Sequence, residues 1–217
     1  MTSRKIALIT ATPFELSPAL KDFQRANDQF ITLHTGVGLV NMAIQCQKLI
    51  FQHQPDACIL IGIAGSFNTN LPLNAVVAVQ HEITGDLGVW EDHQWKDLFD
   101  LRLADPDQFP FNDKKLTNPH LDNLYLRMPA VTAVSVNEIS TDANTIDRYK
   151  NTCQAAIESM EGAAFHQVML ENNIPFLQLR AISNLVGVRD KKQWSIPPAI
   201  HAVNQTCIDL LNNGLFN

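Results

Sequence analysis

Four cysteines in 217 residues, Cys46, Cys58, Cys153 and Cys207, show no CxxC spacing. That excludes a dense disulfide framework and the common zinc-ligand patterns, and three of the four sit in apolar segments where a buried free thiol is the ordinary outcome. A reducing, cytoplasmic setting is therefore expected. Long apolar runs are also missing: no stretch approaches the roughly 20 residues of a membrane span. The opening MTSRKIALIT carries too short an apolar run for a secretory leader. There is no long basic run, and 16 basic residues face 22 acidic ones for a net charge of −6. Neither nucleic acid nor a membrane is an expected partner. Repeats, low-complexity tracts and linkers are absent too, so residues 1–217 are expected to form one domain.

What is present is apolar material in short pieces, 46% of the chain. KIALIT (5–10), FITLHT (30–35), ACILIGIA (57–64), AVVAVQ (75–80), AVTAVS (130–135) and PFLQLRAI (175–182) read as strands. Helix-like stretches fall between and after them: 39–54, 160–173 and 197–214. In the first, Val40, Ile44, Leu49 and Phe51 are near helical spacing. The last has prolines near its start and a glycine near its end. Alternating strands and helices predict an α/β fold. Near-continuous apolar strands such as ACILIGI predict a sheet covered on both faces. Residues 90–125 are polar, proline-bearing and poorly periodic, and read as an irregular excursion, either a variable surface loop or a substrate lid.

Five stretches could carry chemistry. HTGVGLVNMA (34–43) places two glycines between a strand and a helix, a geometry that can offer backbone N–H groups to an anion. It lacks both the P-loop ending and the third glycine of a dinucleotide fingerprint, so a plain tight turn is the favoured reading. GIAGS (62–66) ends a buried strand with small residues that allow close backbone approach. Ligands of open α/β sheets collect at such carboxyl ends. Glu15 in ATPFEL stands just beyond the first strand and could be a general base, or simply a solvated carboxylate. Glu161 in ESMEGAAF opens a helix and could be a favourable N-terminal charge or an acceptor for vicinal hydroxyls. Arg180, Ser183 and Asn184 lie in RAISN at the end of a late strand, where unpartnered polar groups would be costly. Arg180 could hold carboxylates. Asn184 brings both an amide donor and a carbonyl acceptor.

Taken in this order, the strand-end glutamate, GVG, GIAG, MEGAA and RAISN resemble the purine nucleoside phosphorylase/nucleosidase superfamily, in its methylthioadenosine/S-adenosylhomocysteine nucleosidase branch. Within that branch ESMEGAAF, LRAISNLVGVRD and TGDLGVWED are most similar to the futalosine hydrolases. The resemblance implies a three-layer phosphorylase/hydrolase-like fold with a twisted, partly barrel-like mixed β-sheet flanked by helices. It implies a homodimer or dimer-built oligomer, cleavage of a ribosyl N-glycosidic bond by water, and no metal or organic cofactor. Position by position, Glu15 matches the residue that holds the attacking water. Glu161 matches the one that grips the ribose hydroxyls, with Met160 packing on sugar and base. Arg180 matches the arginine that ties these carboxylates together. Ala64 and Gly65 match backbone beside the ribose and nucleophile, and Ser183 is grouped with the substrate-binding residues. The segment from Ser135 to Ser140 matches the cover of the purine, with Ile139 where a stacking aromatic stands.

Two positions depart from the adenosine-type pattern. Ile63 replaces a serine that helps hold the water, which puts more of that task on Glu15 and nearby backbone. Asn184 replaces an aspartate that acts as acid at ring nitrogen 7 and receives the 6-amino group. Asparagine cannot give up a proton, but its two amide hydrogens could reach ring nitrogen 7 and a 6-oxo group. A 6-oxopurine, hypoxanthine, is the leaving group this implies. No arginine lies near GVG, and HEITGDLGVWED (81–92) offers carboxylates, so water is favoured over phosphate as second substrate. For the tail of futalosine, Trp90, Trp95, Phe99 and Arg102 are the candidate contacts. The alternatives are another purine nucleosidase or phosphorylase acting on inosine-like or methylthioadenosine-like compounds, and a non-catalytic nucleoside-binding protein on the same fold.

Overall fold

The computed structural model describes residues 4–24, 28–124 and 126–216. Residues 1–3 of the opening segment and residue 125, the last of the excursion, lie outside this set. The strands in chain order are β1 (Lys5–Thr10), β2 (Gln29–His34), β3 (Ala57–Ser66), β4 (Val76–Thr84), β5 (Gly88–Glu91), β6 (Gln94–Asp97), β7 (Phe111–Asn112), β8 (Lys115–Thr117), β9 (Ala130–Ser135), β10 (Ile157–Ser159) and β11 (Phe176–Leu185). The helices are α1 (Pro18–Lys21), α2 (Leu39–His53), α3 (Ala143–Asp147), α4 (Gly162–Glu171) and α5 (Ile196–Asn212). All six strands and all three long helices expected from the sequence are present.

The main sheet runs β2-β1-β3-β10-β9-β4-β8-β7, and β11 pairs with both β3 and β4. Strands β3, β10, β9, β4 and β11 therefore close into a ring. Pairing is parallel for β1 with β2, β1 with β3, β3 with β11, β4 with β9 and β9 with β10. It is antiparallel for β10 with β3, β11 with β4 and β4 with β8. The sheet is mixed and partly barrel-like, as the resemblance implies.

Period-two alternation explains the layers. Ile6 and Leu8 of β1 join Ile59 and Ile61 of β3 on one face, against Leu20, Val203, Cys207 and Leu211. Ala7, Ile9, Cys58 and Leu60 point the other way, against Met42, Cys46, Leu49, Phe165 and Met169. Each fully buried aliphatic side chain contributes about 1.5–3 kcal/mol relative to exposure. Helix α5 follows its amphipathic pattern: Ala199, Val203, Cys207 and Leu211 are all buried at four-residue spacing.

Three sequence expectations need correction. The buried face of α2 is Met42, Cys46 and Leu49. Val40, Ile44 and Phe51 are 69%, 47% and 87% exposed, so of the proposed apolar stripe only Leu49 faces the core. Residues 90–125 are only partly irregular: β5 and β6 form a separate two-stranded hairpin, β7 and β8 form a second that joins the main sheet through β4, and the stretch between the hairpins runs in turns. The three-residue β10 escaped the sequence reading, yet it closes the ring between β3 and β9.

Candidate active site

The carboxyl ends of β1, β3 and β11 carry the group. Beyond β1 the chain makes one 3-10 turn, Pro13–Glu15. Thr12 begins it, and its backbone N–H and hydroxyl donate to Glu15 Oε2 at 2.9 and 3.2 Å. This is a capping box in which the acid reaches back to the start of its own turn. One carboxylate oxygen is thereby fixed, and the other, Oε1, faces β3, where Ile63 N–H donates at 3.4 Å. Asn204 of α5, itself buried, clamps the turn from behind. Its amide donates to the Glu15 carbonyl at 2.8 Å and its carbonyl accepts from Ser17 N–H at 2.8 Å. Glu15 is 8% exposed. Burial pushes its pKa above the ordinary carboxylate range, opposed by the Arg180 guanidinium and the Thr12 bonds and reinforced by the charge of Glu161.

Glu161 does not cap the helix it opens. Its Oε2 accepts from Arg180 Nη2 at 3.3 Å, and its Oε1 accepts from Gly38 N–H at 3.3 Å. Gly36 and Gly38 have φ of +85° and +98°. The GVG turn, favoured as a mere tight turn, thus does present a backbone N–H to an anion, and the anion is the protein's own carboxylate. Arg180 is 1% exposed and pairs in register with Gly62 of β3. Its Nη1 also donates to the Ile63 carbonyl at 3.3 Å. A Cβ added to Gly62 would fall 2.5 Å from Arg180 Nη1 and 2.9 Å from Glu15 Oε1. The absent side chain is the room in which the two groups approach. The expected bridge is corrected in one respect: Arg180 ion-pairs with Glu161, and acts on Glu15 through its field rather than by a direct bond.

At RAISN a β-bulge intervenes. Ile182 pairs with Ala64 and Asn184 with Gly65, leaving Ser183 as the extra residue. Bulges re-aim side chains beside functional sites. The buried Ser183 hydroxyl lies 3.2 Å from the Ala64 carbonyl and 2.8 Å from Asn184 Oδ1, with one proton to give. Asn184 Nδ2 donates to the Leu185 carbonyl at 3.0 Å. One of the two amide hydrogens assigned to a purine is therefore used locally in this conformation, leaving one free to point outward. A Cβ on Gly65 would come 3.3 Å from that same nitrogen, so the glycine gives the amide its space.

The remaining sequence candidates are placed less tightly. Met160 is half-buried directly before Glu161. Ile139 is 43% exposed in the segment after β9, which is held by Ser140 N–H to Glu158 Oε1 at 3.2 Å and Asn137 N–H to Asp86 Oδ2 at 2.6 Å. Trp90, Trp95 and Phe99 line a cleft of about 1870 Å³ beneath the excursion, together with Lys114 and Arg148. Arg102 is not in its wall, and neither are Glu15, Glu161, Arg180 or Asn184. Gly38 and Gly62 shape the site from the two glycine turns already singled out in the sequence, whereas Thr12 and Asn204 were missed. The spacing of Thr12 to Glu15 is a capping-box signature and could have been found. Asn204, 189 residues from the carbonyl it holds, carried no local signal.

Comparison with known proteins agrees with this fold. A futalosine hydrolase from Thermus thermophilus is 31% identical over 186 residues, covering 84% of this chain and 81% of the relative. A 5'-methylthioadenosine/S-adenosylhomocysteine nucleosidase from Staphylococcus saprophyticus is 27% identical over 171 residues, 74% of this chain and 71% of the relative. Among solved structures, the same kind of nucleosidase from Helicobacter pylori superposes with a TM-score of 0.81 at 16% identity, covering 98% of this chain and all of that one. A futalosine hydrolase from Helicobacter pylori superposes with a TM-score of 0.75 at 17% identity, with 96% of each chain covered. The sequence model of the phosphorylase superfamily matches residues 5–211, a span that holds Glu15, Glu161, Arg180 and Asn184 alike, and the chain belongs to that superfamily.

Proposed function

We propose that this chain is a futalosine hydrolase, cleaving the N-glycosidic bond of futalosine with water to release hypoxanthine and dehypoxanthine futalosine, in menaquinone biosynthesis. Within its superfamily the chain is a hydrolase of nucleoside N-glycosidic bonds, and the proposal lies in the substrate and in the role of each residue. The observation that carries it is the buried pair of carboxylates around Gly62 and Arg180, with an asparagine amide at the neighbouring bulge. Glu15, fixed at one oxygen and raised in pKa by burial, is poised to hold a water and take its proton as it attacks the anomeric carbon. Glu161, held by Arg180 and Gly38 N–H, keeps lone pairs for the ribose hydroxyls, and its negative charge favours a sugar that becomes positive in the transition state. Ala64, Gly65 and Met160 border the sugar. The free amide hydrogen of Asn184 stabilises the departing base at ring nitrogen 7 or at a 6-oxo oxygen, and Ile139 covers the purine. The chain functions as one nucleosidase domain in the cytosol, as a homodimer or dimer-built oligomer.

The test is product analysis with futalosine, inosine and 5'-methylthioadenosine, with and without phosphate. Release of hypoxanthine from futalosine without a ribosyl phosphate product is expected. Preference for the 6-amino substrate would move the chain to the methylthioadenosine/S-adenosylhomocysteine type, the second reading that the Staphylococcus relative supports. Asn184→Asp should shift selectivity towards 6-amino nucleosides, and an unchanged ratio of kcat/KM values would remove Asn184 from base selection.

A further inference from the structure

A third carboxylate lies under the same helix, outside the catalytic group. Glu82 of β4 is wholly buried. Its Oε2 accepts from Ser135 Oγ at 2.9 Å, and its Oε1 accepts from Gln178 Nε2 at 2.8 Å. Ser135 Oγ in turn accepts from Ala163 N–H at 2.8 Å. That N–H is one of the donors that the start of α4 cannot satisfy within the helix. A Cβ on Gly162 would fall 1.7 Å from Glu82 Oε1, so the carboxylate rests against the backbone at the residue after Glu161. Gln178 and Arg180 are two apart on β11 and share a face. One strand therefore holds two acids on either side of Gly162: Arg180 takes Glu161, and Gln178 takes Glu82.

We infer that Glu82 is a positioning residue, which through Ser135 and the backbone at Gly162 sets the first turn of α4 and thereby aims Glu161 at its ligand. The inference rests on the proposed role of Glu161 in gripping the ribose. The packing is close: a side chain at 162 would displace the carboxylate, and a displaced carboxylate would lose the bond from the Ser135 hydroxyl whose oxygen accepts Ala163 N–H. The charged groups that act on Glu82 are Arg180 on β11 and Glu161 at the start of α4, and the buried His166 of α4 shares Gln178 with it. Burial raises the pKa of Glu82 to about 7, with the bonds from Gln178 and Ser135 and the field of Arg180 opposing, and the charge of Glu161 reinforcing. Burial also holds His166 neutral by lowering its pKa to about 3. Glu82 thus changes charge near neutrality, next to the residue it positions. A carboxyl raised in this way contributes stability that is complete below its unfolded pKa and is lost as pH rises through neutrality.

The test pairs Glu82→Gln, which keeps shape and removes the charge, with Ser135→Ala, which removes the relay and keeps the acid. Steady-state hydrolysis of futalosine is followed from pH 5 to 9, with melting temperature over the same range. Both variants are expected to raise KM about tenfold with a smaller change in kcat. Wild type is expected to show an ionisation near neutrality in KM that Glu82→Gln lacks, and the melting temperature of the variant should fall less than that of wild type between pH 5 and 8. Wild-type KM and pH profile in Glu82→Gln would overturn the inference while leaving the proposed hydrolysis intact. If Glu82→Gln does not fold, an unchanged KM in Ser135→Ala overturns it instead. If wild type releases no base, the role of Glu161 fails separately, and the melting comparison alone decides whether Glu82 ionises against α4 as stated.

Discussion

The carboxylate group at the strand ends and the two hairpins of the excursion, β5 to β8, are made of the same kinds of residue, acids facing basic side chains near aromatic rings or glycine backbone, yet they differ in surroundings. Arg180 and Glu161 have side chains 2% and 6% exposed. Lys114, which pairs with Asp97 at 3.1 Å and Asp100 at 2.7 Å, is 40% exposed against 29% and 44%. In the first case each charge depends on a particular partner, because water cannot replace it; losing one leaves an uncompensated buried ion, at a cost of about 3–5 kcal/mol. In the second, water stands ready, and such pairs contribute about 0–1 kcal/mol. Similar chemistry is indispensable in one place and replaceable in the other.

The sharpest way to probe the buried side is Glu15→Gln. The shape stays, but the base is gone, and a positioned general base contributes about 10²–10⁴-fold. Hydrolysis of futalosine should fall by that factor with KM little changed; a loss under tenfold would show that Glu15 is not the base. The wild-type rate should also fall with decreasing pH above the ordinary carboxylate range, because Glu15 must be ionised to accept a proton and burial raises its pKa. An acid limb at or below that range would contradict the burial argument.

Gly62→Ala comes next. The new methyl would fall 2.5 Å from Arg180 Nη1, inside the gap that the two carboxylates and the arginine share. Overpacking of this kind costs about 1–3 kcal/mol. Unfolding in urea should show that loss, and kcat/KM should drop with it, because Arg180 must turn away from Glu161 or Glu15 must retreat. Wild-type stability with wild-type activity would mean that the close approach at Gly62 is not needed.

The two regions also differ in how much the sequence disclosed. The strands were legible because β1, β3 and β11 are near-continuous apolar runs, and Glu161, Arg180 and Asn184 stand out against them as polar residues needing partners. Their grouping followed from a shared resemblance, while the bulge at Ser183 and the clamp of Asn204 emerged only from the folded chain. The excursion was illegible for a local reason. Its hairpins turn through Asp92 and His93, at φ of 51° and 63°, and through Asp113 and Lys114, at 49° and 64°. Turns with two positive φ values are usually signalled by Asn-Gly or Asp-Gly, and here glycine is absent from both. The exposed face of α2 misled for the converse reason: Val40, Ile44 and Phe51 are apolar but lie outside the core.

The smallest effect is expected at Lys114→Ala. Two ion pairs disappear, but both sit where water solvates the acids left behind, so the loss should stay below about 1 kcal/mol. Salt should shrink it further, since exposed charges are screened within about 8–10 Å at ordinary ionic strength. The denaturation midpoint, measured at low and high salt, reads both. Hydrolysis of inosine should be unaffected, because Lys114 lines the cleft under the excursion, whose walls include none of Glu15, Glu161, Arg180 or Asn184. Futalosine carries a tail that inosine lacks. A rise in KM for futalosine alone would therefore connect the cleft to that tail, and KM values unchanged from wild type for both compounds would leave the excursion without a part in binding. A stability loss above about 2 kcal/mol would break the comparison itself, since exposed pairs of this kind stay near 0–1 kcal/mol, and the cluster around Lys114 would then depend on its partners no less than the buried one does.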